Sequence, residues 1–373
     1  MDKAYSSHEL HQSPVPEKPF RSGCLLVLPI CIRGKSHEIL NMPLQDACAV
    51  RSLPNGWVIA AVADGVGSEP RADEGAIIAA HAAVDFCADF FGYSLDDNSI
   101  FDLLQSAYQH ATGEIHHKAA CEGANVHEFS TTLHTAIFTG RTVYFGHAGD
   151  GGLIALCHNG NYTPLTQPQK GDDGEAVIPL LAGPQYWQFG RSDEPVFSVL
   201  LCTDGVFDKI CSTILRKYAD GIDMTLAGFF LSPYSFNWAK TSDEAVLAIM
   251  NKAFRDAKPN DFYPHIVKMI AQDGDEKIAQ QFVLDHIIQR NRPLRMLQDI
   301  RDDISAVVLT QKGVFPDTVP IEKYTPPDWD KINAQIYAEL YPDKNKMHKA
   351  ETQLDPPLKD EPNPATPTVK DKP

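Results

Sequence analysis

The sequence predicts an α+β fold with sheets packed together and helices outside. Two observations lead there. Short apolar runs of strand length, rich in β-branched residues and bounded by turn residues, follow one another in a meander-like series. Long helical stretches are grouped elsewhere in the chain instead of alternating with the strands one by one. Cys24–Arg33 and Trp57–Ala63 read as buried strands, and Ala72–Phe91 and Ile100–Cys121 as helices. Thr131–Phe138, Thr142–Gly146, Gly152–Cys157 and Tyr162–Leu165 form a run of strands. Their connections, Thr139-Gly140-Arg141, Asp150-Gly151 and His158-Asn159-Gly160-Asn161, have turn chemistry. Pro195–Thr203 is another strand. A helical zone then begins at Phe207–Tyr218 and continues through Asp243–Ala257, Phe262–Ala271 and Glu276–Gln289, before a last strand, Ile304–Thr310.

The expected organisation is a flexible segment over 1–21, a main domain over 22–311 with a helical insertion at about 222–295, and an extension over 312–341. That extension carries a short helix, Trp329–Tyr341, expected to dock its Trp and Tyr side chains on the body. The stretch 342–373 reads as a disordered tail, because seven of its 32 residues are proline and six lysines balance six acids.

Of the 373 residues, 49 are acidic and 33 are Lys or Arg, a formal net charge of −16. That balance excludes the basic footprint of a nucleic-acid binder and disfavours an anionic membrane surface. The N-terminal residues are polar, and no apolar run approaches the roughly 20 residues that span a bilayer. The eight cysteines form no C-x-x-C pair and sit mostly in apolar runs, which reads as reduced, buried thiols in a cytoplasmic protein. His116-His117 with Cys121 reads as a solvated helix face, since no second ligand cluster accompanies it.

The informative feature is where certain aspartates fall. Asp64, Asp150 and Asp204 each follow an apolar strand and precede a glycine, while Asp302 and Asp303 precede the last strand. A strand end is a rigid mount at the rim of a core, and the glycine lets the backbone turn sharply and approach whatever the carboxylate holds. Several carboxylates on one rim repel one another unless a cation neutralises them, and oxygen-only ligation selects Mg²⁺ or Mn²⁺ over Zn²⁺. Two such ions can clamp a phosphoryl group and activate a bridging water. Taken singly, each site also reads as an ordinary Asp-Gly turn; the series makes the pattern.

Six segments occur in order: Leu44-Gln45-Asp46-Ala47, Val62-Ala63-Asp64-Gly65-Val66-Gly67, Ser130-Thr131-Thr132-Leu133, Gly146-His147-Ala148-Gly149-Asp150, Leu201-Cys202-Thr203-Asp204-Gly205-Val206-Phe207-Asp208 and Asp302-Asp303-Ile304-Ser305. As a set they resemble the metal-dependent serine/threonine phosphatases of the protein phosphatase 2C type, in a bacterial-like form. Gly34-Lys35-Ser36-His37 is similar to the start of a bacterial subgroup. The resemblance covers roughly Gly23 to Thr310. It implies a four-layer αββα sandwich, two mainly antiparallel sheets flanked by helices, with a centre of two Mn²⁺ or Mg²⁺ ions at one end. In that pattern Asp64 bridges the ions, the Gly65 carbonyl binds the second, Asp204 and Asp302 complete the first, and Asp46 acts near the second. Asp150 and Asp208 fit a third, weaker metal.

The match departs from the family in places. Gln45 stands where many members carry an acid; its amide oxygen can still hold a metal-bound water. Asn41 stands where eukaryotic members place a phosphate-gripping arginine, leaving Arg33, His37 and Arg71 as candidates for that charge. Val66 stands where some members have a histidine acid, so no donor to the leaving group is identified. His147 reads as a satisfied core histidine.

The resemblance implies a phosphoprotein phosphatase that opposes a serine/threonine kinase. A metal-bridging hydroxide would attack phosphoserine or phosphothreonine directly. No cysteine lies in a phosphate cradle followed by Arg, which disfavours a cysteine nucleophile. Two alternatives remain from the sequence: a phosphatase-fold regulatory module with weak or no catalysis, and a phosphatase of small phosphate esters. Turnover of a phosphopeptide separates the first from an enzyme, and preference for a peptide over a small ester separates the second.

Overall fold

A computed structural model describes residues 20–92, 96–172, 174, 176–218, 221–231, 302–311, 328–340 and 342. The 1–21 segment expected to be flexible (but for its last two residues), most of the expected helical insertion with its three helices, and nearly all of the tail lie outside these residues. The chain divides into two compact units, Met1–Pro327 and Asp328–Pro373.

The first unit contains eleven described strands in two antiparallel sheets. The strands are β1 (Phe20–Ser22), β2 (Leu25–Ile32), β3 (Asp46–Ser52), β4 (Val58–Asp64), β5 (Leu133–Phe138), β6 (Val143–Ala148), β7 (Gly152–Cys157), β8 (Tyr162–Pro164), β9 (Gln188–Arg191), β10 (Val196–Cys202) and β11 (Ile304–Gln311). One sheet runs β1-β2-β11-β10-β7-β8, the other β3-β4-β5-β6-β9. Its described helices are α1 (Lys35–Leu40), α2 (Ala72–Phe90), α3 (Asp97–Glu122), α4 (Asp204–Ile210), α5 (Thr213–Tyr218) and α6 (Met224–Leu231). The second unit contributes α7 (Trp329–Leu340), close to the span read from its sequence.

The layers follow from which faces are apolar. Strands β5, β6 and β7 are buried along their whole length, as strands covered on both faces must be. Val27, Val58, Ala60, Val62, Phe138 and Leu201 belong to one inter-sheet core. Ala76, Ala80, Ala83, Leu104 and Tyr108 from α2 and α3 pack with Ile59 and Ala61 of the outer face of the five-stranded sheet. On the far side, α4 and α6 lie against β7, β10 and β11. The architecture is therefore the four-layer αββα sandwich. At about 1.5–3 kcal/mol for each large apolar side chain buried, this core outweighs the repulsion among a few acids at its rim.

Three strands and one helix were not predicted from sequence. β1 is three residues long. β3 (DACAVRS) is built on small residues and two charges. β9 (QFGR) is half-exposed. α1 is a six-residue helix with no buried residue. Each lacks the sustained apolar periodicity that marks an element. The helix expected over Phe207–Tyr218 is two helices, breaking at Cys211 and Ser212. Helix α3 starts three residues earlier than expected, because the Asp96 carboxylate accepts from Ser99 N–H at 2.8 Å.

Register places the acids together. Asp46 is the first residue of β3 and pairs directly with Asp64, the last of β4. In the other sheet, Cys202 at the end of β10 pairs with Gly152 at the start of β7 and with Ala306 near the start of β11. The residues just outside these positions are Asp204, Asp150–Gly151 and Asp302–Asp303. One end of the sandwich thus collects acids from both sheets.

Candidate metal centre

At that end, the carboxylates of Asp64, Asp150 and Asp204 each offer an oxygen within 4.8 Å of the others. Asp204 and Asp302 line a cleft of about 570 Å³ together with Gln45, Gly67, Asp208 and Lys209; Ser36, His37, Leu40 and Met42 also border it. Asp46 lies behind the cleft and is buried.

The backbone around each acid is fixed by its neighbours. The Asp64 carbonyl accepts from Thr131 Oγ1 and from Thr132 N–H, both at 2.8 Å, and Asp64 N–H donates to Thr132 Oγ1 at 2.9 Å. Gly65 N–H donates to the Gln45 carbonyl at 3.1 Å. A Cβ on Gly65 would meet the Ala72 backbone at 2.6 Å, and one on Gly205 would collide with the Asp303 carbonyl oxygen, so no larger residue fits either turn. Thr203 Oγ1, just past the end of β10 of the six-stranded sheet, donates to Asp46 Oδ2, at the start of β3 of the five-stranded sheet, at 2.8 Å.

The electrostatics are those of a crowded anionic site. Burial first, then the Asp46 and Asp204 charges, push Asp64 well above the usual carboxylate range. Burial and Asp303 do the same for Asp46, against the lowering effect of the Thr203 hydroxyl. Asp204 is pushed up to about 7 by burial and by Asp150 and Asp302. Burial also raises Asp150 and Asp208, with Lys170 opposing the rise in both. Lys170 Nζ lies 3.3 Å from Asp150 Oδ2 and 3.9 Å from Asp208 Oδ2.

Asp303, adjacent to Asp302, is a different kind of acid. It accepts from Gly34 N–H at 2.6 Å and Gln45 N–H at 2.7 Å, and its Oδ1 lies 2.9 Å from His37 Nδ1. It thereby fastens the α1 loop and the start of β3 beside the cleft.

The donor set fits hard divalent cations. It is all carboxylate and carbonyl oxygen, it is too anionic to stand without neutralisation, and Gln45 Oε1 is buried with no hydrogen-bond partner among the described residues.

The candidates for gripping phosphate separate. His37 borders the cleft, with Nδ1 committed to Asp303. Arg33 is exposed, donates to the Met42 carbonyl at 3.3 Å and does not line the cleft. Arg71 does not line it either. Its guanidinium holds Glu74 at 2.8–2.9 Å, pairs with Glu122 and lies 4.2 Å over the Phe129 ring. A glutamate three residues into the helix, at 74, was the sequence sign that Arg71 serves the α2 N-terminus. Lys209, one residue after Asp208, is a cleft-lining cation with no motif to signal it in the sequence, and Lys170, beside Asp150 and Asp208, has none either. His147 is the satisfied core histidine expected: it is buried, its Nε2 lies 2.8 Å from the Gln167 carbonyl and its Nδ1 2.9 Å from His134 Nδ1.

A family model described as protein phosphatase 2C matches residues 33–248, more than half of the chain. Among solved structures, the chain is similar to the catalytic domain of the serine threonine protein phosphatase PstP in complex with two manganese ions. Identity there is 15%, covering 77% of this chain and 98% of that one, at a TM-score of 0.47. It is similar to the serine/threonine phosphatase Stp1 from Staphylococcus aureus at 11% identity, over 80% and 98% of the two chains, with a TM-score of 0.45. The Mycobacterium tuberculosis serine/threonine phosphatase PstP/Ppp matches at 14% identity over 77% and 99%, with a TM-score of 0.42. Among curated proteins, no sequence matches.

Proposed function

Given that the chain belongs to the protein phosphatase 2C family, we propose that it hydrolyses phosphoserine or phosphothreonine in protein substrates with two Mn²⁺ or Mg²⁺ ions. The observation that carries this reading is the convergence of Asp64, Asp150 and Asp204, whose carboxylate oxygens lie within 4.8 Å of one another, beside a cleft that Asp204 and Asp302 line. Asp64, the Gly65 carbonyl, Asp204, Asp302 and Asp46 would hold the ions. Such a pair, when bound, neutralises charge on the transferring phosphoryl group and lowers the pKa of a water between the ions.

The remaining work falls to the chain itself. Gln45 Oε1, buried and unpartnered, would accept from an ordered water on the cleft side. Thr131 and Thr132 hold the Asp64 backbone so that its carboxylate does not turn away. Lys209 supplies the cleft a positive charge for the incoming phosphate, in place of the arginine that Asn41 replaces. The cleft is open and bordered by the exposed Leu40, which suits a peptide side chain better than a fully enclosed small ester. A cytoplasmic location and an opposing kinase complete the reading. Among the described residues no helix is long and apolar enough to cross a membrane.

The test is phosphate release from a phosphothreonine peptide. Release is expected with Mn²⁺, is lost with a chelator and returns when Mn²⁺ is restored. Turnover of small phosphate esters but no phosphopeptide selects the small-ester alternative. Folded, metal-loaded protein with no turnover of either selects the regulatory module.

A further inference from the structure

Lys170 stands among the acids of the centre, with its Nζ 3.3 Å from Asp150 Oδ2 and 3.9 Å from Asp208 Oδ2. Its placement is built into the fold. Gln169 N–H donates to the Gly149 carbonyl at 2.8 Å, and Gly149 N–H returns a bond to Gln169 Oε1 at 3.0 Å. Two residues earlier, the Gln167 carbonyl is held by His147 Nε2 at 2.8 Å, and Leu153 N–H donates to Thr166 Oγ1 at 2.9 Å. Lys170 itself pairs with Val177 in an isolated antiparallel bridge. The segment is therefore tied to both sides of the Asp150 turn, and a free surface lysine would need none of these bonds.

Resting on the two-ion reading above, we propose that the Lys170 ammonium is the built-in counter-charge of the Asp150–Asp208 pair. It takes the position from which a third divalent ion would bridge them, so the centre is complete with two. The charges agree with this. Six carboxylates face one another here: Asp46, Asp64, Asp150, Asp204, Asp208 and Asp302. Two divalent ions offset four of those charges and Lys170 a fifth. A third ion at the roughly 2.1 Å that Mg²⁺ requires from both Asp150 and Asp208 would lie against the ammonium, and the two cations repel. An ammonium has three donors and no acceptor, so it suits two carboxylates and can bind no water as a nucleophile.

The number of Mn²⁺ ions per full-length chain, counted by equilibrium dialysis with metal analysis, tests this. The expected counts are two for the native chain, two for Lys170→Arg, and three for Lys170→Met, the third being lost again in Lys170→Met combined with Asp208→Asn. Three ions on the native chain, or two on a folded Lys170→Met, overturn the proposal and leave the phosphatase reading standing. Asp208→Asn in the otherwise native chain is a second check. It keeps two ions if Lys170 holds that aspartate and loses one if a metal does. A native chain that binds no Mn²⁺ overturns the two-ion reading and this proposal together, a result distinct from any of the others.

Discussion

Asp302 and Asp303 are sequence neighbours with opposite surroundings. Asp303 is buried and saturated: two backbone N–H groups and His37 meet its oxygens at 2.6–2.9 Å. Asp302 faces the cleft with Asp204 and accepts one backbone N–H, from Asp303 at 2.9 Å; the group it joins is crowded with like charge, and there Asp46 has the Thr203 hydroxyl and Asp150 the Lys170 ammonium. A carboxylate supplied with donors is a structural pin. A set of carboxylates with fewer donors than like-charged neighbours is held at the cost of stability and calls for a cation. The supply of donors is what marks a site, since acidity is common to both and the more buried of the two, Asp303, is the structural one.

Replacing one acid of each kind sharpens that contrast most. Asp64→Asn is expected to lower Mn²⁺-dependent phosphate release on the order of a thousandfold while raising the Tm of the chelated protein, because it removes a repelling charge. An unchanged rate would end the two-ion mechanism. Asp303→Ala should do the reverse to the fold. It strands two buried N–H donors, costing about 3 kcal/mol, which for a domain of this size lowers Tm by roughly 6–12 °C. A Tm within a degree of the native value would show that the pin does not carry the α1 loop.

The third prediction uses pH. Asp204 titrates at about 7 in the folded chain, against 3.8 for the ordinary group. A raised folded pKa gives stability that is complete below about pH 4 and is lost as pH climbs through 7, the same direction as the raised Asp46 and Asp64. Scanning calorimetry of chelated protein should therefore show Tm falling by roughly 5 °C between pH 5 and 8. Saturating Mn²⁺ should remove that fall. A chelated protein that gains stability over this range would contradict the crowded-acid account. The smallest effect is expected for Arg71→Met. The Arg71–Glu74–Glu122 group with Lys118 is half-buried but lies outside the cleft, so its loss is expected to lower Tm by less than Asp303→Ala does and to leave KM for the phosphopeptide unchanged.

The sheets and the acids at their ends were legible because both depend on local chemistry. Strand-length apolar runs made β2, β4, β5, β7, β10 and β11 readable, and Asp-Gly after such a run marked where the chain turns at the rim. β3 was not legible, although it carries Asp46, because Ala47, Cys48 and Ala49 have no β-branched signature and acquire strand geometry only by pairing with β4. Lys170 was invisible for another reason. It lies twenty residues beyond Asp150 in sequence, and only the strap through Gln167 and Gln169 folds it back. Arg71 looked like an anion grip because charge in sequence has no direction. Its neighbours Glu74 and Phe129 take the guanidinium away from the cleft.

Strand β11 has a consequence for the order of assembly. It is the last strand of the sheet in sequence, yet it is inserted between β2 and β10 rather than added at an edge. A chain emerging from synthesis therefore has β2 and β10 with no ladder between them until Ile304–Gln311 arrives. Asp302 and Asp303 arrive with that strand, one toward the cleft and the other as the pin of the α1 loop. Metal capacity and closure of the sandwich are thus completed in one late step, so a nascent chain cannot hold the full centre before it can fold.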